Sequence, residues 1–448
     1  MTFGPEDPRG PGILLRPSAK VFVLSFILLL SASRSFARSI TIYNHQPDIR
    51  VSLTARQKDL SLRIQGKCSL IYQDVKIASL TNSSITFHFT PQGSPVVSLP
   101  NQQINFYSPI DIEPADTPDP IISPSDPLGV MFNGETYPGT VEIMPESDGS
   151  FRLINRVPLE TYLRGVVPNE LINNLKPDEL QACMAQAIAA RNYAFFRMSN
   201  IDSFANDPAS KGFDVYSDTR DQVYSGIERY KPIADTAVEL TRGMIVEYNG
   251  EPARCFFFST CGGHTASVQE VWQGQPALPY LRGVSDIDPA TGEPFCIFNP
   301  NFYWSVTFSG HELTELVKRN LAMASPNYGG VAVYGNVEAL RVIDRFNSGR
   351  VDSLEIKMDD GHIYYVRGDR TRYLFKRSNG SILNSSMFTI ETLRKYGGGI
   401  SRVILKGKGN GHGVGMCQWG ALGMSRLGYS FRQILSHYYP GTVIKKVY

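Results

Sequence analysis

Apolar residues alternate with polar ones at Ile49, Val51 and Leu53, and again at Leu60, Leu62 and Ile64, around a polar turn. A period of two puts each set on one face of a pleated strand, so the runs predict strands paired as a β-hairpin. Between Pro177 and Asn200 the period changes. Leu180, Cys183, Ala187, Ala190 and Ala194 recur at helical spacing, Pro177 suits a first turn, and Asp178 and Glu179 favour the positive end of a helix dipole. The many alanines imply close packing, which makes Cys183 a core residue. From Leu340 to Val366 strand-like runs return, punctuated by the hairpin signals Asn347-Ser348-Gly349 and Asp360-Gly361. A short helix is expected from Phe431 to Tyr438, stopped by Pro440-Gly441. Strand groups mixed with segregated helices predict an α+β fold, rich in β-hairpins, and not an alternating parallel sheet.

The pattern breaks between residues 108 and 128, where six prolines and five acidic residues predict an exposed linker or long loop. That would separate a β-rich region (38–107) from a larger one (129–448), which carries a β-rich insertion at about 325–390. The chain starts with an export signature. Arg16 and Lys20 precede an apolar stretch from Val21 to Leu30, and Ser35-Phe36-Ala37 offers small residues for a peptidase, so residues 1–37 read as a signal peptide or uncleaved anchor. Cleavage after Ala37 would leave 40 basic and 40 acidic residues, a balance that argues against nucleic acid as a partner. Six unevenly spread cysteines define no disulfide scaffold.

Charge and glycine pattern single out the C-terminal stretch. Gly409, Gly411, Gly413 and Gly415 fall at alternate positions, with His412, Gln418 and Trp419 among or after them. In an extended chain these glycines would bare one face for a long ligand; the alternative is a strained structural turn. From Ser401 to Tyr448 there are seven basic residues and no acidic one, a field that favours ligands carrying carboxylates or phosphates. No frame satisfies a dinucleotide or phosphate-loop motif.

Glu170 is the candidate acid. It follows Val166-Val167-Pro168-Asn169 and precedes Leu171, so apolar neighbours would resist its ionisation and raise its pKa, as a general acid requires. The plainer reading is a Glu near a helix start, serving exposed amides.

Val157-Pro158-Leu159-Glu160-Thr161-Tyr162-Leu163-Arg164-Gly165-Val166-Val167-Pro168-Asn169-Glu170 and Ala185-Gln186-Ala187-Ile188-Ala189-Ala190-Arg191-Asn192-Tyr193 resemble the leading block of the sporulation stage II protein D (SpoIID/LytB) family. Ser259-Thr260-Cys261-Gly262-Gly263-His264-Thr265, with Trp272 and Pro279-Tyr280-Leu281-Arg282, is similar to its middle block, and Gly411 to Ala421 with His437-Tyr438-Tyr439-Pro440-Gly441 to its closing block. The resemblance implies a peptidoglycan lytic transglycosylase acting on glycan strands already stripped of stem peptides, with Glu170 as the catalytic acid. One carboxyl suffices, because the sugar's own C6 hydroxyl can attack C1 where a hydrolase would need a second carboxylate and water. It further implies a glycan-binding cleft, an exported protein of the periplasm or cell envelope, and partnership with an N-acetylmuramoyl-L-alanine amidase. Because the family name is also attached to amidase enhancers, a non-catalytic glycan-binding module is the alternative.

Within that frame Tyr193, Trp419 and Tyr438 offer stacking faces for sugars, with core packing the competing role. Arg191 could clamp a carboxylate or sit in an ion pair, and His412 and Gln418 carry over as cleft residues. The chemistry requires no cofactor. Cys255, Cys261, His264 and Cys296 could nonetheless form a structural zinc site, although Phe258 stands where metal-binding relatives have histidine; a disulfide or free thiols are the alternatives. A cysteine peptidase would need Cys417 or Cys183 beside His412 or His437.

Overall fold

The alternating runs form strands, but not with each other. In the computed structural model, which describes residues 45–53, 57–115, 128–171, 174–199 and 212–448, strand Asp48–Ser52 pairs with Phe151–Pro158, whereas Leu60–Gln65 pairs with Ser84–Phe89 and Gly129–Phe132. Alternation fixes which face of a strand is buried and leaves its partner open, so the expected hairpin is replaced by pairings distant in sequence. The predicted signal at residues 1–37 lies outside the described residues. Among the described residues no helix is long and apolar enough to cross a membrane.

Two sheets result. One has seven strands, in the order Val215–Tyr216, Asp48–Ser52, Phe151–Pro158, Thr140–Pro145, Ile110–Pro114, Lys67–Tyr72 and Val75–Thr81. The other has six, from Glu135–Tyr137 through Gly129–Phe132 and Leu60–Gln65 to Gln102–Asn105. Both mix strands from either side of the proline-rich stretch, so no domain boundary falls there. The start of that stretch is itself an interior strand. Ile110 and Ile112 are fully buried, while Asp111 and Glu113 face Arg156 at 3.6 Å on the opposite side. Counting prolines and acids concealed this alternation; residues 116–127 lie outside the described residues.

The helices are α1 (Leu159–Glu170), α2 (Leu180–Met198), α3 (Pro232–Leu240), α4 (Val268–Val271), α5 (Gly310–Ala324), α6 (Thr371–Leu374), α7 (Gln418–Arg426) and α8 (Phe431–Tyr438). As expected, α2 follows a turn at Pro177–Glu179 and α8 spans the predicted segment. The alanines of α2 are explained by its position. Cys183, Ala187, Ala190 and Ala194 face a core shared with both sheets, and Ala182, Ala185, Ile188 and Ala189 face a second core built from α7, α8 and the cysteine-bearing segments. A helix buried on both faces needs small side chains wherever neighbouring helices approach closely.

A third core belongs to the insertion, which is wider than its sequence suggested. Strand Tyr303–Ser309 pairs antiparallel with Ile400–Lys408, Tyr303 opposite Lys408, so the chain enters and leaves side by side. Between these strands lie α5, the sheet Val337–Arg345, Val351–Met358 and Ile363–Arg367, and a core centred on Phe308, Leu354, Phe375 and Leu405.

Candidate active site

Glu170 is the last residue of α1, not a helix start. Its half-buried carboxyl accepts two hydrogen bonds, from the Val223 amide at 3.0 Å and from Gln418 Nε2 at 3.2 Å. Burial pushes its pKa above the ordinary value, and these two donors counter only part of that shift. No ion pair to Glu170 appears among the described residues, and the C-terminal end of a helix carries partial negative charge, which further disfavours a carboxylate. The group is therefore held toward its protonated form. Gln418 opens α7, so the first and last sequence blocks meet at this carboxyl across 248 positions.

Segment Asp221–Ser225 also reaches the site, and sequence reading missed it. Gln222 is fully buried and accepts from the Tyr162 hydroxyl at 3.1 Å; Ser225 accepts from Asn169 Nδ2 at 2.8 Å. Asp221 accepts from Tyr193 OH at 2.6 Å, and lies 3.2 Å from Arg197. The available signal was the unbroken Asp-Gln-Val-Tyr-Ser-Gly string before α3, polar residues without helical or strand period. Tyr193 thus sits half-buried at the edge of this network, through its hydroxyl.

Arg191 is not a substrate clamp. It is fully buried and makes a two-point ion pair with Glu160, at 2.9 and 2.7 Å, plus a bond to the Met244 carbonyl at 3.0 Å. Tyr438 is not a sugar platform either, because it is buried with its hydroxyl 2.7 Å from Asp286. Trp419 is half-buried, its ring tilted at 56° against Phe298 with centroids 5.1 Å apart, and the Phe298 ring also receives Arg426 at 3.9 Å.

His412 is fixed as a neutral ring. Its Nδ1 accepts from the Val414 amide at 3.1 Å, so Nε2 carries the hydrogen and donates to the Phe257 carbonyl at 3.1 Å. Burial, with Arg372 and Arg350 nearby, pushes its pKa down to about 3. Trp272 at 5.2 Å and Phe258 at 5.3 Å enclose it. Both nitrogens are thus committed, which leaves the ring no proton-transfer role.

The alternate glycines build the protein's own interior. All four have positive φ, from 78° to 107°, so the run is not an extended strand. A Cβ at Gly413 would lie 2.6 Å from the Arg350 guanidinium, and one at Gly415 would collide with the Phe256 carbonyl. These contacts leave no bare face for a ligand; the structural turn is the correct reading. What the run does is seat strand Met416–Cys417 beside Phe257–Phe258, which aims Gln418 at Glu170.

The expected metal ligands divide. His264 bonds the Thr265 carbonyl through Nδ1 at 2.7 Å, and Cys255 is buried elsewhere; neither belongs to the cluster formed by Cys261 and Cys296, which instead includes Asp286 and Cys417. No disulfide joins the cysteines, all of which are buried. Burial pushes the Cys183 thiol up to about 12, and Cys417 also lies well above its ordinary value, so neither serves a peptidase with the neutral, committed His412. Hydrogen bonds from Cys261 and Cys417 instead push the Cys296 thiol below its ordinary value.

Two surface cavities, of about 760 and 790 Å³, involve the insertion. The first is lined by Trp304, Arg345 and Lys406, the second by Trp272, Tyr365 and Arg370, and neither by Glu170.

A sequence model described as "Stage II sporulation protein" matches residues 147–248, which carry Glu170, Arg191 and the Asp221 segment, and one for a domain of unknown function matches 298–415, the insertion. An uncharacterized protein of Brachyspira hyodysenteriae is 31% identical over 412 residues, covering 91% of this chain and 95% of its own. Stage II sporulation protein D of Bacillus subtilis is 27% identical, covering 68% of this chain and 81% of its own. The amidase enhancer of Bacillus subtilis is 30% identical over 63% of this chain, and the match spans only 40% of that longer protein. The chain belongs to the SpoIID family.

Proposed function

We propose that the protein is an exported lytic transglycosylase that cleaves peptide-free peptidoglycan strands, with Glu170 as general acid and then base. The observation that carries this reading is a half-buried carboxyl with a raised pKa, held by the Val223 amide and Gln418 with no cation paired to it among the described residues. In the first step protonated Glu170 gives its hydrogen to the glycosidic oxygen as the bond from C1 of N-acetylmuramic acid to that oxygen breaks. The C6 hydroxyl of the same sugar then bonds to C1 and returns a proton to the Glu170 carboxylate. The products are an N-acetylglucosamine 4-hydroxyl and a 1,6-anhydromuramyl end, with no water consumed. Partnership with an amidase follows from the substrate, since stem peptides must be removed first.

The test is incubation of the purified protein with peptide-free glycan and mass spectrometry of the product ends. Anhydro ends from the wild type, lost in Glu170→Gln while glycan binding persists, are expected. Ends one water heavier would mean hydrolysis. Binding without cleavage by the wild type would mean a non-catalytic enhancer, the role named in one Bacillus relative.

A further inference from the structure

Behind Gln418 lies a cluster that the catalytic proposal does not use. Cys261, Asp286, Cys296 and Cys417 are all buried, and one donor atom from each lies within 4.8 Å of the others. Cys261 Sγ is 2.9 Å from Asp286 Oδ2 and 3.5 Å from Cys296 Sγ. Zinc bond lengths of about 2.3 Å to sulfur and 2.1 Å to oxygen give tetrahedral edges of roughly 3.6–3.8 Å, so small shifts would seat the ion.

Backbone donors point at these sulfurs. Backbone amides of Cys261 and Gly420 donate to Cys417 Sγ at 3.2 and 3.3 Å, and the Gly263 amide donates to Cys261 Sγ at 3.2 Å. Such bonds are the outer shell expected around metal thiolates. Asp286 is oriented likewise: Oδ1 accepts from Tyr438 OH at 2.7 Å and faces His437 Nε2 at 3.3 Å, leaving Oδ2 toward the sulfurs. Arg350 is fully buried beside them. Its guanidinium donates to the carbonyls of His264 at 2.9 Å and Cys261 at 3.1 Å and makes no ion pair among the described residues, with Asp369 and Glu270 in electrostatic reach. A buried cation of this kind offsets part of an anionic centre, and a divalent ion offsets the rest.

We infer that Cys261, Asp286, Cys296 and Cys417 form a tetrahedral structural zinc site, which ties the middle sequence block to the start of α7 and so fixes Gln418 against Glu170. Four protein donors leave no open position for water, so the ion has no catalytic role. The site shares only Cys261 and Cys296 with the ligand set read from the sequence.

The full chain, purified with reductant, should hold one zinc per molecule. Replacing it with cobalt should give one equivalent of thiolate-to-metal charge-transfer absorption and the visible bands of a tetrahedral ion. Asp286→Asn and Cys296→Ser should each weaken zinc binding by at least about tenfold, whereas Cys255→Ser and His264→Gln should leave it unchanged. A reduced wild type that shows no charge-transfer band overturns the inference, even if the variants fail to fold. So does loss of the band in Cys255→Ser with retention in Asp286→Asn, or a Cys261–Cys296 disulfide in metal-free, active protein.

Discussion

Helix α1 carries a buried glutamate near its first turn and a half-buried one at its end, and the protein treats them oppositely. Burial pushes Glu160 up, but the Arg191 charge and hydrogen bonds, the Tyr448 hydroxyl and the Gly243 amide together hold its pKa below the ordinary value. Among the described residues Glu170 meets only Val223 and Gln418, so burial wins and its pKa rises. The helix dipole acts in the same directions, favouring a carboxylate in the first turn and opposing one in the last. Residue type alone therefore says little; the supply of positive partners separates a structural carboxylate from a candidate proton donor.

The largest effect should come from removing the acid itself. Glu170→Gln should lower glycan cleavage by about 10²–10⁴-fold, and wild-type activity should fall as pH rises through the raised pKa of this group. Stability should move the other way. Ionised Glu170 costs the folded state, so Glu170→Gln should gain stability at neutral pH, a gain that vanishes once pH falls below the ordinary carboxyl range. For Glu160 the sign reverses: its stabilisation is full above the unfolded pKa and is lost as pH falls through the lowered folded value. Thermal melts of the two Gln variants across pH would show opposite slopes, and parallel slopes would dissolve the contrast.

Next is Arg191→Ala, which leaves Glu160 buried without its cation and should cost about 3–5 kcal/mol in denaturant unfolding. Were Arg191 a substrate clamp, stability would hold and only KM would rise. Tyr448→Phe removes one hydroxyl donor from the same carboxylate and should cost roughly 1.5–3 kcal/mol by the same measurement.

Much of this arrangement was legible before any coordinates. Helices α2 and α8 and the turns at Asn347-Ser348-Gly349 and Asp360-Gly361 follow from local period and turn chemistry, which do not depend on distant partners. The α+β class followed as well. Strand partners did not, since Asp48–Ser52 pairs with residues about a hundred positions away. Nor did the role of the alternate glycines, because left-handed backbone and the contacts with Phe256 and Arg350 are set by the fold. Resemblance pointed to Glu170, whose half-buried carboxyl does meet the closing block at Gln418, but overread Arg191 and Tyr438, whose chemistry is consumed by Glu160 and Asp286. Asp286 escaped the metal reading because it belongs to no cysteine or histidine spacing.

The smallest effect discriminates best between the two glutamates. Gln418 supplies one of the two hydrogen bonds to Glu170 among the described residues, and that bond favours the carboxylate. Gln418→Ala should therefore raise the Glu170 pKa further and move the alkaline limb of the pH–rate profile to higher pH. The loss in kcat should be modest, about 2–10-fold, matching a neutral hydrogen bond of roughly 0.5–1.5 kcal/mol. Stability near neutral pH should change little beside the loss in Arg191→Ala, because α7 keeps its Cys417 cap on Gly420. If the limb instead stays in place while kcat falls, Gln418 touches substrate and not the acid. A shift to lower pH would mean that the carboxyl is governed by some group other than its amide partners at Val223 and Gln418.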